Sequence, residues 1–129
     1  MGKAVYSKAA EHGKRVQAQT EAKNHALVLE DCDLEATANA VVNATYGCAG
    51  MRCMALPVVC VQESIADEFV KLIKEKASAM KTGCAYDEET DLGPVVSASH
   101  KEKVLSWIQK GIDEGAELVL DGRDIVVPG

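Results

Sequence analysis

The residues best suited to chemistry lie in one short stretch, Tyr46-Gly47-Cys48-Ala49-Gly50-Met51-Arg52-Cys53-Met54-Ala55-Leu56. Two cysteines, an arginine and two glycines fall between a helical pattern and a strand pattern. Glycine lets a backbone turn sharply and come close to a bound group. A cysteine that follows an arginine in a turn meets a positive field, which favours the nucleophilic thiolate. The chemistry on offer is therefore attack by sulfur. A free cysteine also packs as a small hydrophobe. Residue types alone leave an inert, buried Cys53 open beside a nucleophilic one.

The other candidates carry less. Cys48, five residues earlier, suits a packed thiol at a helix end. Cys32, Cys60 and Cys84 have no histidine or cysteine at metal-ligand spacing, so no metal site is expected. Cys60 lies in an apolar run and is expected in the core. His12, His25 and His100 are scattered, and Trp107 beside Ile108 suits helix packing.

Composition narrows the class. A chain of 129 residues is normally one domain. Hydrophobic residues make up 47% of it, enough for a real core. The net charge of −6 gives no electrostatic footprint for nucleic acid, and none is expected as a partner. No apolar run is long enough to span a bilayer, and no apolar signal core opens the chain, so neither membrane association nor secretion is expected. Five irregularly spaced cysteines argue against a disulfide framework and suit a reducing cytoplasm.

The elements that must position the cysteine stretch follow from periodicity. Gly2 to His12 predicts a short helix ended by Gly13, and Lys14 to Gln19 alternates like a strand. Ala26 to Leu29 reads as a buried strand. Asp31 or Asp33 caps the next helix, with Leu34, Ala38, Val41, Val42 and Thr45 at helical spacing and Gly47 at its end. Pro57 to Gln62 is a β-branched strand opened by its proline. Ser64 and Asp67 have capping-box spacing before a helix with the stripe Ile65, Phe69, Leu72, Ile73, Ala77 and Met80. Thr82 to Gly93 is a polar loop. A helix from Ser97 or Ser99 faces Val104, Leu105, Ile108 and Ile112 inward and ends at Gly115. Ala116 to Leu120 and Ile125 to Val127 predict two strands around an Asp121-Gly122 turn, and Val127-Pro128-Gly129 is turn-like. Alternating helices and strands argue an α/β fold with a largely parallel sheet and flanking helices.

The cysteine stretch resembles the active-site segment of the aldehyde dehydrogenase superfamily, an aromatic residue followed by Gly-Gln-x-Cys or Gly-Glu-x-Cys. Tyr46, Gly50 and Cys53 match it. Met51 stands where that family has Gln or Glu, and Pro57 where a small or polar residue is common. Ala22-Lys23-Asn24-His25 and Arg52-Cys53-Met54-Ala55 are similar to the CoA-acylating branch, the methylmalonate- and malonate-semialdehyde dehydrogenases. The resemblance runs from Lys3 to about Gly129.

The resemblance implies a central fragment of the aldehyde dehydrogenase fold. Residues 1–19 would end the nucleotide-binding domain and residues 20–129 would begin the catalytic, cysteine-bearing domain. Most of the dinucleotide-binding domain and the later catalytic segments would lie outside the chain. It implies Cys53 as the nucleophile that attacks the aldehyde carbon, gives a thiohemiacetal and keeps a thioester after hydride leaves to NAD. The Cys53 backbone N–H would be one oxyanion donor. Arg52 would hold the distal carboxylate of a semialdehyde, for which a guanidinium fork is suited. Thr20 would contact the nicotinamide end of NAD. Gln19 stands where hydrolytic members carry their general base and cannot take a proton at neutral pH. That fits release of the thioester to CoA as cosubstrate, giving acetyl-CoA or propionyl-CoA with loss of the substrate carboxyl group. Glu21 replaces a glycine of the family's motif and is not its base. The intact enzyme would act on a small aldehyde and form a homo-oligomer. Two rivals remain: a non-catalytic remnant or interaction domain of the same fold, which Met51 and Glu21 favour, and a fragment of a hydrolytic aldehyde dehydrogenase, which Gln19 weakens.

Overall fold

A computed structural model describes residues 1–127. Its elements run α1 (Gly2–Glu11), β1 (His25–Val28), α2 (Leu34–Tyr46), a short 3-10 turn (Gly47–Gly50), β2 (Val58–Val61), α3 (Glu63–Ala79) and α4 (Ala98–Asp113). β1 and β2 pair in parallel, with His25 opposite Val58 and Leu27 opposite Cys60. α2 is the crossover between them. It starts where Asp33 accepts a hydrogen bond from the Ala36 N–H at 3.0 Å, satisfying one of the free donors of the first turn. Gly47 ends it.

The core is small and lies where α2 and α3 cover one face of the sheet. Val28, Ala38, Val41 and Phe69 are buried there, with Val59, Val61, Ile65, Leu72 and Ile73 packed around them. Phe69 keeps 3% of its surface, so the helical stripe of α3 meets the sheet as its spacing predicts. Lys76 of α3 pairs with Glu35 of α2 at 2.5 Å and fastens the two helices at their rim. The expected capping box is not used. Gln62 precedes α3, and Ser64 Oγ instead donates to Glu30 Oε2 at 2.9 Å, tying α3 to the loop after β1.

Three expected strands do not form. Lys14 to Gln19, Ala116 to Leu120 and Ile125 to Val127 make no ladder among the described residues. A strand exists only through its partner's hydrogen bonds, and neither alternation nor an apolar run in the sequence supplies that partner. Glu117, Val119 and Leu120 nonetheless lie at the groove formed by Val59, Phe69 and Ile73. The stretch after them is tied to α4: Arg123 pairs with Asp121 at 2.5 Å and reaches Gln109 Oε1 at 3.1 Å. Those hydrogen bonds hold the Asp121 carboxyl below its ordinary value. Pro128 and Gly129 of the expected terminal turn lie outside the described residues.

Cys60 is exposed and not in the core. It stands beside Leu27 on the face of the sheet away from α2 and α3, and Leu27 is 76% exposed. Trp107 is also exposed; Lys110 lies over its ring, 4.8 Å from the centroid, so it packs on a cation of its own helix.

Candidate active site

The cysteine stretch is a compact turn between α2 and β2. Its base is closed twice. The Leu56 N–H donates to the Ala44 carbonyl at 3.2 Å, and Thr45 Oγ1 donates to the Leu56 carbonyl at 3.0 Å. Between these closures the chain winds left-handed through Cys48, Ala49 and Gly50, at φ 56°, 51° and 72°. Gly50 takes that conformation without steric cost; Cys48 and Ala49 carry a Cβ that opposes it. The turn is therefore strained at the two residues ahead of Gly50. It then reverses through the Met51 N–H to Cys48 carbonyl bond at 3.0 Å and the Ala55 N–H to Arg52 carbonyl bond at 3.1 Å.

Cys53 is carried on this second reversal and is exposed to solvent. Its backbone is held from outside the turn. Asn24, in the loop before β1, donates through Nδ2 to the Cys53 carbonyl at 2.9 Å and to the Ala55 carbonyl at 2.7 Å. His25 beside it is turned the other way, with Nδ1 2.8 Å from the Lys23 carbonyl. The pairing of β1 with β2 brings Asn24 to this place, because His25 stands opposite Val58.

Arg52 is exposed and lays its guanidinium over Gly47, which is buried. A Cβ built on Gly47 would meet the guanidinium Cζ at 2.6 Å and Nη1 at 2.7 Å, so only glycine leaves that room. The side chain lines an open cleft of about 500 Å³ together with Asn39, Asn43, Lys76 and Asp91. Arg52 and the two amides there suit a carboxylate, while Lys76 is already paired with Glu35 and Asp91 opposes one.

Thr20 is exposed and lies against the start of α1, with its Oγ1 3.0 Å from a Cβ built on Gly2. Arg52 and Cys53 are thus neighbours on one turn, and Thr20 belongs to another part of the chain. Cys48 is exposed rather than packed. Among the described residues, no group of three or more His, Cys, Asp or Glu side chains could hold a metal ion. The residue that composition and spacing overlooked is Asn24. Its only signal was its place in the Ala22-Lys23-Asn24-His25 run.

Residues 1–128 match the aldehyde dehydrogenase family. The chain is 48% identical over 125 residues to malonate-semialdehyde dehydrogenase 1 of Oceanobacillus iheyensis, covering 97% of this chain and 26% of that protein. It is 48% identical over 128 residues to the mitochondrial acylating methylmalonate-semialdehyde dehydrogenase of Arabidopsis thaliana, covering 99% and 21%. The fold superposes on a methylmalonate-semialdehyde dehydrogenase from Oceanimonas doudoroffii with a TM-score of 0.90 at 37% identity, covering 99% of this chain and 26% of that one. A NAD-dependent aldehyde dehydrogenase from Sinorhizobium meliloti gives 0.88 at 33%, covering 96% and 25%. The chain spans about a quarter of the length of these proteins. With its α/β core, its cysteine turn and nearly all of its sequence aligned, the chain belongs to the aldehyde dehydrogenase family.

Proposed function

We propose that this chain is the cysteine-bearing segment of a CoA-acylating dehydrogenase of malonate or methylmalonate semialdehyde. The observation that carries the proposal is an exposed Cys53 on a turn fastened at both ends, with Arg52 next to it. In this proposal the Cys53 thiolate attacks the aldehyde carbon. The S–C bond forms, the carbonyl π electrons move to oxygen, and the Cys53 N–H faces the oxyanion. Once the carbon has lost hydride, Cys53 holds the acyl group as a thioester. The thiol of CoA then attacks that thioester and Cys53 leaves as thiolate. Arg52 orients the substrate by pairing its distal carboxylate. Gln19, unable to accept a proton, offers no base to a competing water.

NAD, when bound, supplies the hydride acceptor. Of a site for it the described residues offer the exposed hydroxyl of Thr20, a contact rather than a cradle. In the proposed division, residues 1–19 end a nucleotide-binding domain and residues 20–129 begin the catalytic one. The packing supports this: among the described residues every buried core residue lies between Val28 and Phe69, and α1 buries none. A cytoplasmic setting suits five unpaired thiols.

The test is a chimera in which this chain replaces the matching segment of the Oceanobacillus iheyensis enzyme, supplied with malonate semialdehyde, NAD and CoA. The expected products are NADH, acetyl-CoA and carbon dioxide, and all three are lost in Cys53→Ala. The carbon dioxide is the distal carboxyl group, which must leave the Cys53-bound acyl group before CoA takes it. A free acid formed at the same rate without CoA would overturn the acylating assignment. The second reading is a non-catalytic domain of the same fold. It is favoured by Met51, an exposed thioether where the family carries a polar amide or acid, and by the exposed Glu21. An inactive chimera that regains turnover with Met51→Gln would support it.

A further inference from the structure

We infer that Asn24 is a positioning residue for Cys53, acting as a two-point clamp on the backbone of the cysteine turn; this rests on the proposed role of Cys53 as nucleophile. Asn24 sits 29 residues before Cys53 and 31 before Ala55, yet one side-chain nitrogen bonds both carbonyls, at 2.9 and 2.7 Å. A primary amide has two N–H donors on that nitrogen, and here each has an acceptor. The carbonyls belong to alternate residues, so the segment Cys53-Met54-Ala55 is wrapped around the amide. Asn24 is half-buried, whereas Cys53 and Met54 are exposed. The turn has little packing of its own to hold it in place.

The rest of the turn explains why a clamp is needed. Cys48 and Ala49 stand in the left-handed region, where a Cβ costs free energy. A turn strained at that end relaxes unless its other end is held. The bonds at Ala44, Thr45 and Leu56 hold the base, and Asn24 holds the part that carries the sulfur. Asn24 itself is anchored by the strand that follows it, whose pairing begins at His25. The clamp therefore ties the reactive thiol to the sheet.

The experiment compares this chain with Asn24→Ala and Asn24→Asp, following amide exchange at Ala55 and Leu56, with Phe69 as the reference in the core. Loss of two ordinary hydrogen bonds should speed exchange at Ala55 and Leu56 by about tenfold in Asn24→Ala and leave Phe69 unchanged. Asn24→Asp has the same shape. Ionised, it donates nothing and faces two carbonyl oxygens; protonated, it regains one donor. Relative to the unmodified chain at each pH, its exchange should be fast at neutral pH and slow again as the carboxyl protonates. Asn24→Ala should show no such recovery, and a merely space-filling role would not produce one. The rate of Cys53 alkylation relative to Cys84 should follow the same pattern. Unchanged exchange in both variants, or equal acceleration at Phe69, would overturn the clamp. Should a variant not fold, couplings through the hydrogen bonds from Asn24 Nδ2 to the Cys53 and Ala55 carbonyl carbons of the unmodified chain decide it, and their absence overturns it. None of these readouts needs turnover, so failure of the clamp is separable from failure of the acylating chemistry.

Discussion

The Arg52 guanidinium lies over the α-carbon of Gly47, five residues back, in the space a Cβ would fill. The backbone of Gly47 is at φ −51° and ψ 131°, a conformation open to any residue. Glycine is required there for the approach of the arginine and not for the turn. Gly47→Ala should therefore keep the fold and displace Arg52. Because the clash is with the end of a flexible side chain, the loss of stability should stay near or below about 1 kcal/mol by urea denaturation. The Arg52 side-chain NMR signals should move while those of Phe69 stay. A large loss of stability would mean that the guanidinium cannot leave and is part of the packing.

Thiol reactivity gives a second expectation. Cys48, Cys53, Cys60 and Cys84 are exposed and Cys32 is half-buried. Limiting iodoacetamide at neutral pH, read by mass spectrometry, should label Cys53 first and Cys32 last. Cys53 is exposed and directly follows Arg52 on the fastened turn, the arrangement that singles it out for attack by sulfur. Preferential labelling of Cys60 or Cys84 would remove the reason to single out Cys53.

Cys60 also shows where sequence stops informing. An unbroken Val-Val-Cys-Val run looks buried on both faces, as in a parallel sheet covered by helices on each side. The run does form the strand, but α2 and α3 cover only one of its faces. Which face is covered depends on what packs there, and hydropathy does not carry that. The same limit removes the strand at Ala116 to Leu120, whose apolar run Leu118-Val119-Leu120 is real and whose ladder is missing among the described residues. The helices were legible, since α2 and α3 each carry their own cap or stripe: Asp33 in one, Phe69 with Ile65 and Ile73 in the other. Cys53 and Arg52 were legible through their motif. Asn24 was not, because a polar side chain that bonds two distant carbonyls leaves no period or spacing behind.

The left-handed turn supplies a third expectation. Ala49, at φ 51° and ψ 34°, gives no hint of this conformation by its residue type. Ala49→Gly removes the Cβ that opposes it. The relief outweighs the added freedom of the unfolded chain, and stability should rise by about 0.5–1 kcal/mol. Ala49→Val should lower it by more than that, since a β-branched residue is least suited to positive φ. The midpoint of urea unfolding measures both. A destabilising Ala49→Gly would show that the turn relaxes to ordinary dihedrals in solution.

The last expectation concerns substrate choice. A semialdehyde carries its carboxylate at the end away from the reacting carbon, and propanal carries none. If Arg52 pairs that carboxylate, it contributes only to the first. A hydrogen-bonded charge pair in a desolvated site is worth roughly 2–5 kcal/mol. In the chimera, Arg52→Leu should then lower kcat/KM for malonate semialdehyde by about a hundredfold or more. The value for propanal should change little. Asn39 and Asn43 line the same cleft and Lys76 there is held by Glu35, so Arg52 is the cation left for the carboxylate; Arg52→Lys keeps the attraction of a point charge but loses the two parallel hydrogen bonds. A loss confined to KM would mean that Arg52 holds ground and transition states alike. Equal losses on both aldehydes would assign Arg52 to the turn instead. Its guanidinium would then act through Gly47 on the backbone that carries Cys53, and Gly47→Ala should reproduce the defect.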